Sequence, residues 1–562
     1  LPREDAGSEP LARAASGAEI APRPREADRA CPHARNALQS ALEGRWMTSV
    51  ARGSPREARR NALARAVVAA CALACAACSR AGPRLVVWIE VDTLRADALG
   101  CYGSKRVGEN GCEPSPNIDA LAADSVRFQR AYTAAPWTIP SLVTQLSGLW
   151  PWEHGDVRLL EPIAPVHTPL VPILRERGWR TAGVMTNFIA KSEYGFANGF
   201  ERWDETLARG HEGSTSHEAL ARLLELGDEL RGESRAGRSS SERVFLFAWL
   251  FEPHYRYEAH EGLRFGPGFG DRAGTPYTGP LRGDEELDDL LKRRRELTPL
   301  DAEFLRGNYQ SEVAYLDRSV GELVAGLKAR GLYDDALIVF TSDHGEEILD
   351  RGWIGHSVTL HEELVRVPLI VHVPRNLGRA RRGAVVEDAV SLIDLPATLV
   401  DLATGSEPDR SRGDLAHSRS LAPTILKGER PVRRHLYLHT NFEPVLQNAN
   451  SRDKAALQWG VVDADRDLKW IVDHKVPAGA EPRPSLYDLT HDPLEQTNLA
   501  GTVGGMQSAL PLELLRALVP QRLDGKRPAP RSLPEEPWIH AGADASAADS
   551  DGLGPAWSAK SR

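Results

Sequence analysis

Three apolar runs of this chain end in side chains able to bind cations or carry protons. LVVWIEV (85–91) leads into Asp92, RVFLFAWL (243–250) into Glu252 and His254, and ALIVFTS (336–342) into Asp343, His344, Gly345, Glu346 and Glu347. Open α/β sheets build their sites at the carboxyl ends of strands, so groups far apart in sequence can converge on one cleft. A fourth element is PWTIPSLVTQLSG (136–148), in which Thr138 stands two residues before Pro140 and Gly148 closes the segment. Proline favours the first turn of a helix and glycine the position after its last. Thr138 is therefore expected at a helix N-terminus, where unpaired amides and the helix dipole attract an anion. The alternative is a purely structural N-cap threonine.

The elements that must hold these residues are legible around them. Unbroken apolar runs rich in β-branched residues read as strands buried on both faces, and similar runs recur at 181–187 and 368–373. Between them lie helical patterns at 116–126, 216–230 and 307–331. Strands alternating with helices predict an α/β fold with a mostly parallel sheet covered by helices on both faces. Residues 258–298 are Gly-rich and then charged, and read as an irregular functional segment. After about residue 430 the pattern shortens to strand-like pieces at 435–440, 457–464 and 468–474, which predicts a small C-terminal antiparallel subdomain.

Composition narrows the partners. The chain has 562 residues, 41% of them hydrophobic and 26% charged, as in an ordinary globular enzyme. A formal charge of −9 has the wrong sign for a general nucleic-acid binder. Six cysteines occur, none at zinc-finger spacing. Residues 1–46 read as disordered or as translated upstream sequence, and Met47 is the first methionine. Residues 47–78 read as a signal peptide, with arginines at 52, 56, 59, 60 and 65 ahead of the apolar run AVVAACALACAAC (66–78). That run is short for a bilayer span but suits a signal core. Small residues before cysteine match a lipoprotein cleavage site at Cys71 or, better placed, at Cys78; a plain secretory signal is the alternative. Arg59–Arg60 is a weak twin-arginine feature. The expectation is an exported protein of the periplasm or cell envelope, attached to the membrane through a lipidated Cys78. Export would permit a Cys101–Cys112 disulfide, with two free thiols as the alternative. Residues 525–562 read as a disordered tail.

Six ordered blocks then carry a resemblance. VDTLRADALGCYG (91–103), PSPNIDALAADSVRFQRAYTAAPWTIPS (114–141), FEPHYRY (251–257), TSDHGEE (341–347), GHSVTLHEELVRVPLIV (355–371) and LYDLTHDPLEQTNLA (486–500) resemble the sulfatase family, within the alkaline-phosphatase superfamily, in the same order. The resemblance implies an alkaline-phosphatase-like sheet, with a catalytic domain over 84–430 and its C-terminal subdomain over 431–524. It implies Asp92, Asp343 and His344 as ligands of one divalent metal ion, with Thr138 at the nucleophile position and also on the metal. It implies that His254 and His356 contact the transferred group or protonate the leaving group. Carboxylates are hard ligands for a divalent cation; that cation would favour an ionised threonine oxygen, and a histidine opposite can donate a proton.

Four departures from the family pattern matter. Thr138 replaces the usual cysteine or serine, so formylglycine cannot form. Leu142 stands where the formylglycine motif carries arginine. Thr93 follows Asp92 where many sulfatases have a second aspartate. The usual lysine is missing from HSVTLHEE, leaving His356 as its nearest counterpart. His344 stands in place of an amide, and an imidazole ligand favours Mn or Zn over Ca. The reading is a hydrolase of a sulfate or phosphate ester, not dependent on formylglycine. One alternative is an exported phosphodiesterase or a phosphoglycerol- or phosphoethanolamine-type transferase; another is a lipid-anchored pseudoenzyme that binds without turnover. His361, Glu362 and Glu363 read as a polar helix start, with metal ligation as the alternative, and His154 as a supporting residue.

Overall fold

The computed structural model describes residues 82–501, apart from 157, 210–214, 236–241, 379–380, 410–414, 434, 443–455 and 474–483. The expected signal segment, Cys78 and the terminal segments therefore lie outside the described residues. Among those described, no helix is long and apolar enough to cross a membrane.

Nine strands form the main sheet among the described residues, in the order β10-β2-β9-β6-β1-β5-β3-β4, with β11 also pairing β2. The strands are β1 (Leu85–Val91), β2 (Val126–Tyr132), β3 (Trp179–Met185), β4 (Arg202–Asp204), β5 (Arg243–Leu250), β6 (Ala336–Ser342), β9 (Arg366–His372), β10 (Val385–Val386) and β11 (Val390–Ser391). A short hairpin of β7 (Glu347–Ile348) and β8 (Ile354–Gly355) follows β6. Pairing is parallel except around β9, which runs antiparallel to both β2 and β6. β1 is central and flanked by β6 and β5. The three strands singled out by their polar ends are therefore immediate neighbours.

The two-residue period of β1 divides it between two cores. Leu85, Val87, Ile89 and Val91 face one apolar cluster, and Val86 and Trp88 the other. On the first face lie α3 (Ser216–Arg235), through Leu220, Leu223, Leu226 and Leu230, and α4 (Pro299–Ala329), through Val313, Leu316, Val320, Leu323 and Leu327. The three- and four-residue spacing of these side chains is what aligns one helical stripe against a sheet. α1 (Pro116–Ala123) also joins this face through Ile118 and Leu121. On the second face lies α2 (Thr138–Ser147), through Ile139, Leu142, Val143 and Leu146, beside α5 (Leu395–Thr404). Each fully buried leucine of these stripes contributes about 2 kcal/mol.

Helix α4 starts earlier than its apolar period suggests, because Thr298 caps it reciprocally with Asp301 and Pro299 occupies the first turn. β2 occupies a stretch whose start had the pattern of a helix end. The expected antiparallel C-terminal sheet is present as β12 (His435–Phe442), β13 (Ala456–Asp463), β14 (Leu468–Asp473) and β15 (Pro484–Asp488). Cys101 and Cys112 are both free thiols, so the disulfide alternative is not realised.

Candidate active site

Because β6, β1 and β5 are adjacent, their ends are stitched together beyond the strands: the Asp92 amide donates to the Leu250 carbonyl at 2.8 Å and the Asp343 amide to the Val91 carbonyl at 3.2 Å. Asp92, Asp343 and His344 are fully buried, and one ligand atom from each lies within 4.8 Å of the others. His344 Nε2 is 3.6 Å from Asp92 Oδ1 and 3.5 Å from Asp343 Oδ2. Its other nitrogen, Nδ1, donates to the Gly345 carbonyl at 2.9 Å. A carbonyl only accepts, so Nδ1 carries the hydrogen and Nε2 presents its lone pair to the carboxylates.

The remaining carboxylate contacts fix which oxygens face that lone pair. Asp343 Oδ1 accepts from the amides of His344 at 2.7 Å and Thr93 at 3.2 Å. Asp92 Oδ2 accepts from Asn187 Nδ2 at 2.6 Å. Asp92 Oδ1 and Asp343 Oδ2 are buried with no hydrogen-bond donor among the described residues. Burial pushes Asp92 up to about 7, against the pull of His356 and Asn187. Burial and then the adjacent Asp92 hold Asp343 well above the usual carboxylate range. Burial, then the nearby His356, keep His344 neutral, well below the usual imidazole value. Two buried orphan oxygens converging with a neutral imidazole nitrogen fit a divalent cation, which would supply the missing positive charge.

Thr138 is the first residue of α2, and Gly148 ends that helix in the left-handed conformation at φ 65°. The Thr138 side chain is buried, with Oγ1 3.3 Å from His344 Nε2. The helix is locked to the strand ends by Ser141, whose hydroxyl donates to the Asp343 carbonyl at 2.6 Å. Leu142 is fully buried in the second apolar core, so the position that carries arginine in the formylglycine motif here brings no charge to Thr138. Thr93, where many sulfatases have a second aspartate, adopts the left-handed region at φ 57° and gives its carbonyl to the Tyr309 hydroxyl at 2.9 Å.

Both expected proton carriers are close by. The His356 ring lies 4.5 Å from that of His344 and 5.1 Å from that of His254. His356 Nδ1 is 3.0 Å from the buried Glu346 carboxylate, whereas His254 Nδ1 donates to the Tyr255 carbonyl at 2.7 Å and its ring stacks on Phe251. An anion behind the ring stabilises imidazolium and leaves Nε2 as the nitrogen that gives or takes a proton.

Two neighbours escaped the sequence reading. Asn187 follows β3 and is fixed at both ends, since its Oδ1 accepts from the Ile189 amide at 3.0 Å. The run TAGVMTN ends in a polar residue as the other three do, and that signal was sufficient to flag it. Glu346 lay within a polar run already noted, but nothing in its spacing pairs it with His356.

Other acidic residues sit elsewhere. Glu252 does not join the cation cluster; one carboxylate oxygen accepts from the Thr215 amide and, at 2.9 Å, from the Ser216 amide, holding the N-terminus of α3. Burial and then Glu312 push Glu252 up to about 7. A carboxyl whose folded value is raised contributes stability that is complete below the ordinary value of 4.5 and is lost as pH rises through about 7. Glu252→Gln is therefore expected to remove up to about 3 kcal/mol of the wild type's decline in stability between pH 5 and 8. Urea denaturation across that range checks this, and identical pH profiles would contradict it.

His361, Glu362 and Glu363 start a one-turn helix, Glu362–Val365, as the polar-start reading expects. His361 Nδ1 bonds Glu495 at 2.8 Å, Lys469 bonds Glu362 at 3.0 Å, and Arg351 bonds Glu363 at 2.7 Å. His154 is buried beneath α2, with Nε2 3.2 Å from the Thr144 hydroxyl, a supporting position.

Gly345 is needed for close approach. A Cβ there would sit 2.1 Å from the Glu363 carbonyl oxygen, and the Gly345 amide donates to the Leu364 carbonyl at 2.8 Å. Gly345→Ala is expected to cost about 2 kcal/mol of stability and to weaken metal binding by displacing His344. Chemical denaturation and metal titration check both, and unchanged affinity would contradict the second.

Residues 84–406 match the family model described as Sulfatase. The chain is 24% identical over 489 residues to an arylsulfatase of Clostridium perfringens, covering 78% of this chain and 94% of that protein. It is 27% identical over 429 residues to a choline-sulfatase of Rhizobium meliloti, covering 69% and 77% respectively. In fold it is similar to the crystal structure of the phosphonate monoester hydrolase of Agrobacterium radiobacter, at a TM-score of 0.56 and 21% identity, covering 77% of this chain and 95% of that one. The family match spans the strands that deliver Asp92, Asp343 and His344 and the helix that begins with Thr138, and on that match the chain belongs to the sulfatase family.

Proposed function

We propose that this chain is a metal-dependent ester hydrolase that uses Thr138 as nucleophile, with phosphate-type esters better matched to it than sulfate esters. The observation that carries this reading is the buried Thr138 hydroxyl at a helix N-terminus, 3.3 Å from His344 Nε2 and beside the three-residue cation cluster. A divalent cation held by Asp92, Asp343 and His344, with the Thr138 oxygen as a further ligand, would favour the ionised threonine and offset the charge of the ester.

The residues then divide the work. Thr138 loses its proton to water, and its oxygen forms a bond to phosphorus as the bond to the leaving oxygen breaks. The leaving oxygen takes a proton from His356, whose ring Glu346 holds through Nδ1. His254, packed edge-on against His356, contacts the transferred group. Water next attacks the threonyl phosphate and gives a proton to His356, and the threonine oxygen leaves and takes a proton back from water, restoring the starting state. A sulfated threonine lacks the elimination by which a formylglycine hydrate releases sulfate, whereas a phosphorylated one is released by attack of water at phosphorus. That chemistry ranks phosphate ahead of sulfate, and relatives named as arylsulfatase and phosphonate monoester hydrolase bracket both classes. The basic and apolar pattern of residues 47–78 supports export and anchoring through Cys78.

The test is metal analysis of the purified protein, followed by assays of wild type and Thr138→Ala on a paired aryl sulfate and aryl phosphodiester. The expected result is bound divalent metal and turnover that favours the phosphodiester and is lost in the variant. Wild type that binds no metal and is as inert as the variant would reject the enzyme reading in favour of a binding protein.

A further inference from the structure

The loop that carries His356 is held from the second sheet. Ser357, the next residue, lies in the left-handed region at φ 83° and is buried. A non-glycine residue there costs about 1 kcal/mol and persists only where its surroundings fix it. Both of its backbone polar groups are fixed. The Ser357 amide donates to the Pro136 carbonyl at 2.9 Å, within the segment that enters α2 two residues before Thr138. The Ser357 carbonyl accepts from the Thr440 hydroxyl at 2.6 Å, and Thr440 is fully buried on β12. The preceding residue of β12, His439, donates its amide to the Ala134 carbonyl at 2.8 Å, in the same entering segment. One strand of the C-terminal sheet therefore holds both the approach to the nucleophile and the turn that follows the acid.

We propose that Thr440 is a positioning residue for the leaving-group acid: its hydroxyl fixes the His356–Ser357 turn against the segment that delivers Thr138. The inference rests on the reading of His356 as that acid. Without the hydroxyl, a buried carbonyl loses its donor and the strained turn loses one of its two restraints. His356 keeps its Glu346 partner but no longer meets the departing oxygen squarely. Misplacement by about 1 Å costs up to roughly a hundredfold in rate. The loss falls on esters whose leaving oxygen needs a proton, and spares those whose leaving group departs as a stable anion.

The experiment uses the full metal-loaded chain, a 4-nitrophenyl ester and the corresponding phenyl ester. Thr440→Val is expected to lower kcat roughly tenfold or more on the phenyl ester and less than about threefold on the 4-nitrophenyl ester, with KM nearly unchanged. Thr440→Ser, which keeps the hydroxyl, is expected to restore wild-type kcat on both. If Thr440→Val does not fold, Thr440→Ala carries the same comparison. Equal losses on the two esters, no loss on either, or failure of Thr440→Ser to restore the phenyl ester would overturn the inference while leaving the proposed activity intact. Wild type inert toward both esters would overturn the proposed activity and this inference with it.

Discussion

Thr138→Ala is expected to lower kcat by about a thousandfold or more, because no other group replaces a nucleophile that forms the covalent intermediate. The variant should remain folded. The Thr138 hydroxyl lies 3.3 Å from His344 Nε2, and loss of one such bond costs about 1 kcal/mol. Asp92, Asp343 and His344 are untouched and only the Thr138 oxygen is lost from the proposed ligand set, so the cation should still bind, though more weakly. Thr138→Ser keeps a hydroxyl at the first residue of α2 and should retain most of the activity. Steady-state kinetics with thermal melts and metal analysis separate these outcomes. An alanine variant that turns over within tenfold of wild type would mean that water, not Thr138, attacks the ester.

Asp343→Asn is expected to abolish metal binding and activity while making the metal-free protein more stable. Asp343 and Asp92 are fully buried carboxylates whose facing oxygens lack a hydrogen-bond donor among the described residues. Burial and the Asp92 charge disfavour ionised Asp343, a cost that a bound cation or a proton offsets. A neutral amide removes that repulsion, and the metal-free variant should gain about 1–2 kcal/mol at neutral pH, the size usual when a functional site is relieved of strain. The gain should shrink as pH falls, because the wild-type carboxyls then protonate and carry no charge to repel. Saturating metal should reverse the order, since only the wild type gains the binding energy. Paired melts with chelator and with metal check both signs. A less stable metal-free variant would show that Asp343 is a structural partner rather than a cation ligand.

Sequence made the centre of this site legible because burial on both faces leaves strands with no polar interruption until they end. LVVWIEV, RVFLFAWL and ALIVFTS could be read to within a residue, and the side chains after them were conspicuous for that reason. The helix at Thr138 was legible from Pro140 and Gly148. Residues that act through one side-chain contact were not. Glu346 looks like any acidic loop residue until His356 is placed 3.0 Å away, and Thr440 is a common strand residue until its hydroxyl meets Ser357. Glu252 misled, since a strand-end glutamate can serve a helix terminus as readily as a cleft. Strand direction was equally hidden: the apolar run of β9 reads the same parallel or antiparallel, and it is antiparallel to both neighbours.

The proposed activity turns on the covalent bond to Thr138. The most direct measurement is rapid acid quench of the metal-loaded protein during turnover of a phosphodiester, followed by peptide mass spectrometry. The phosphoryl group, still carrying the ester's second substituent, is expected on the peptide containing Thr138, on that residue, and it should be absent when the metal is chelated. Phosphoryl carried by another residue, or none at all while turnover is confirmed in the same sample, would contradict it.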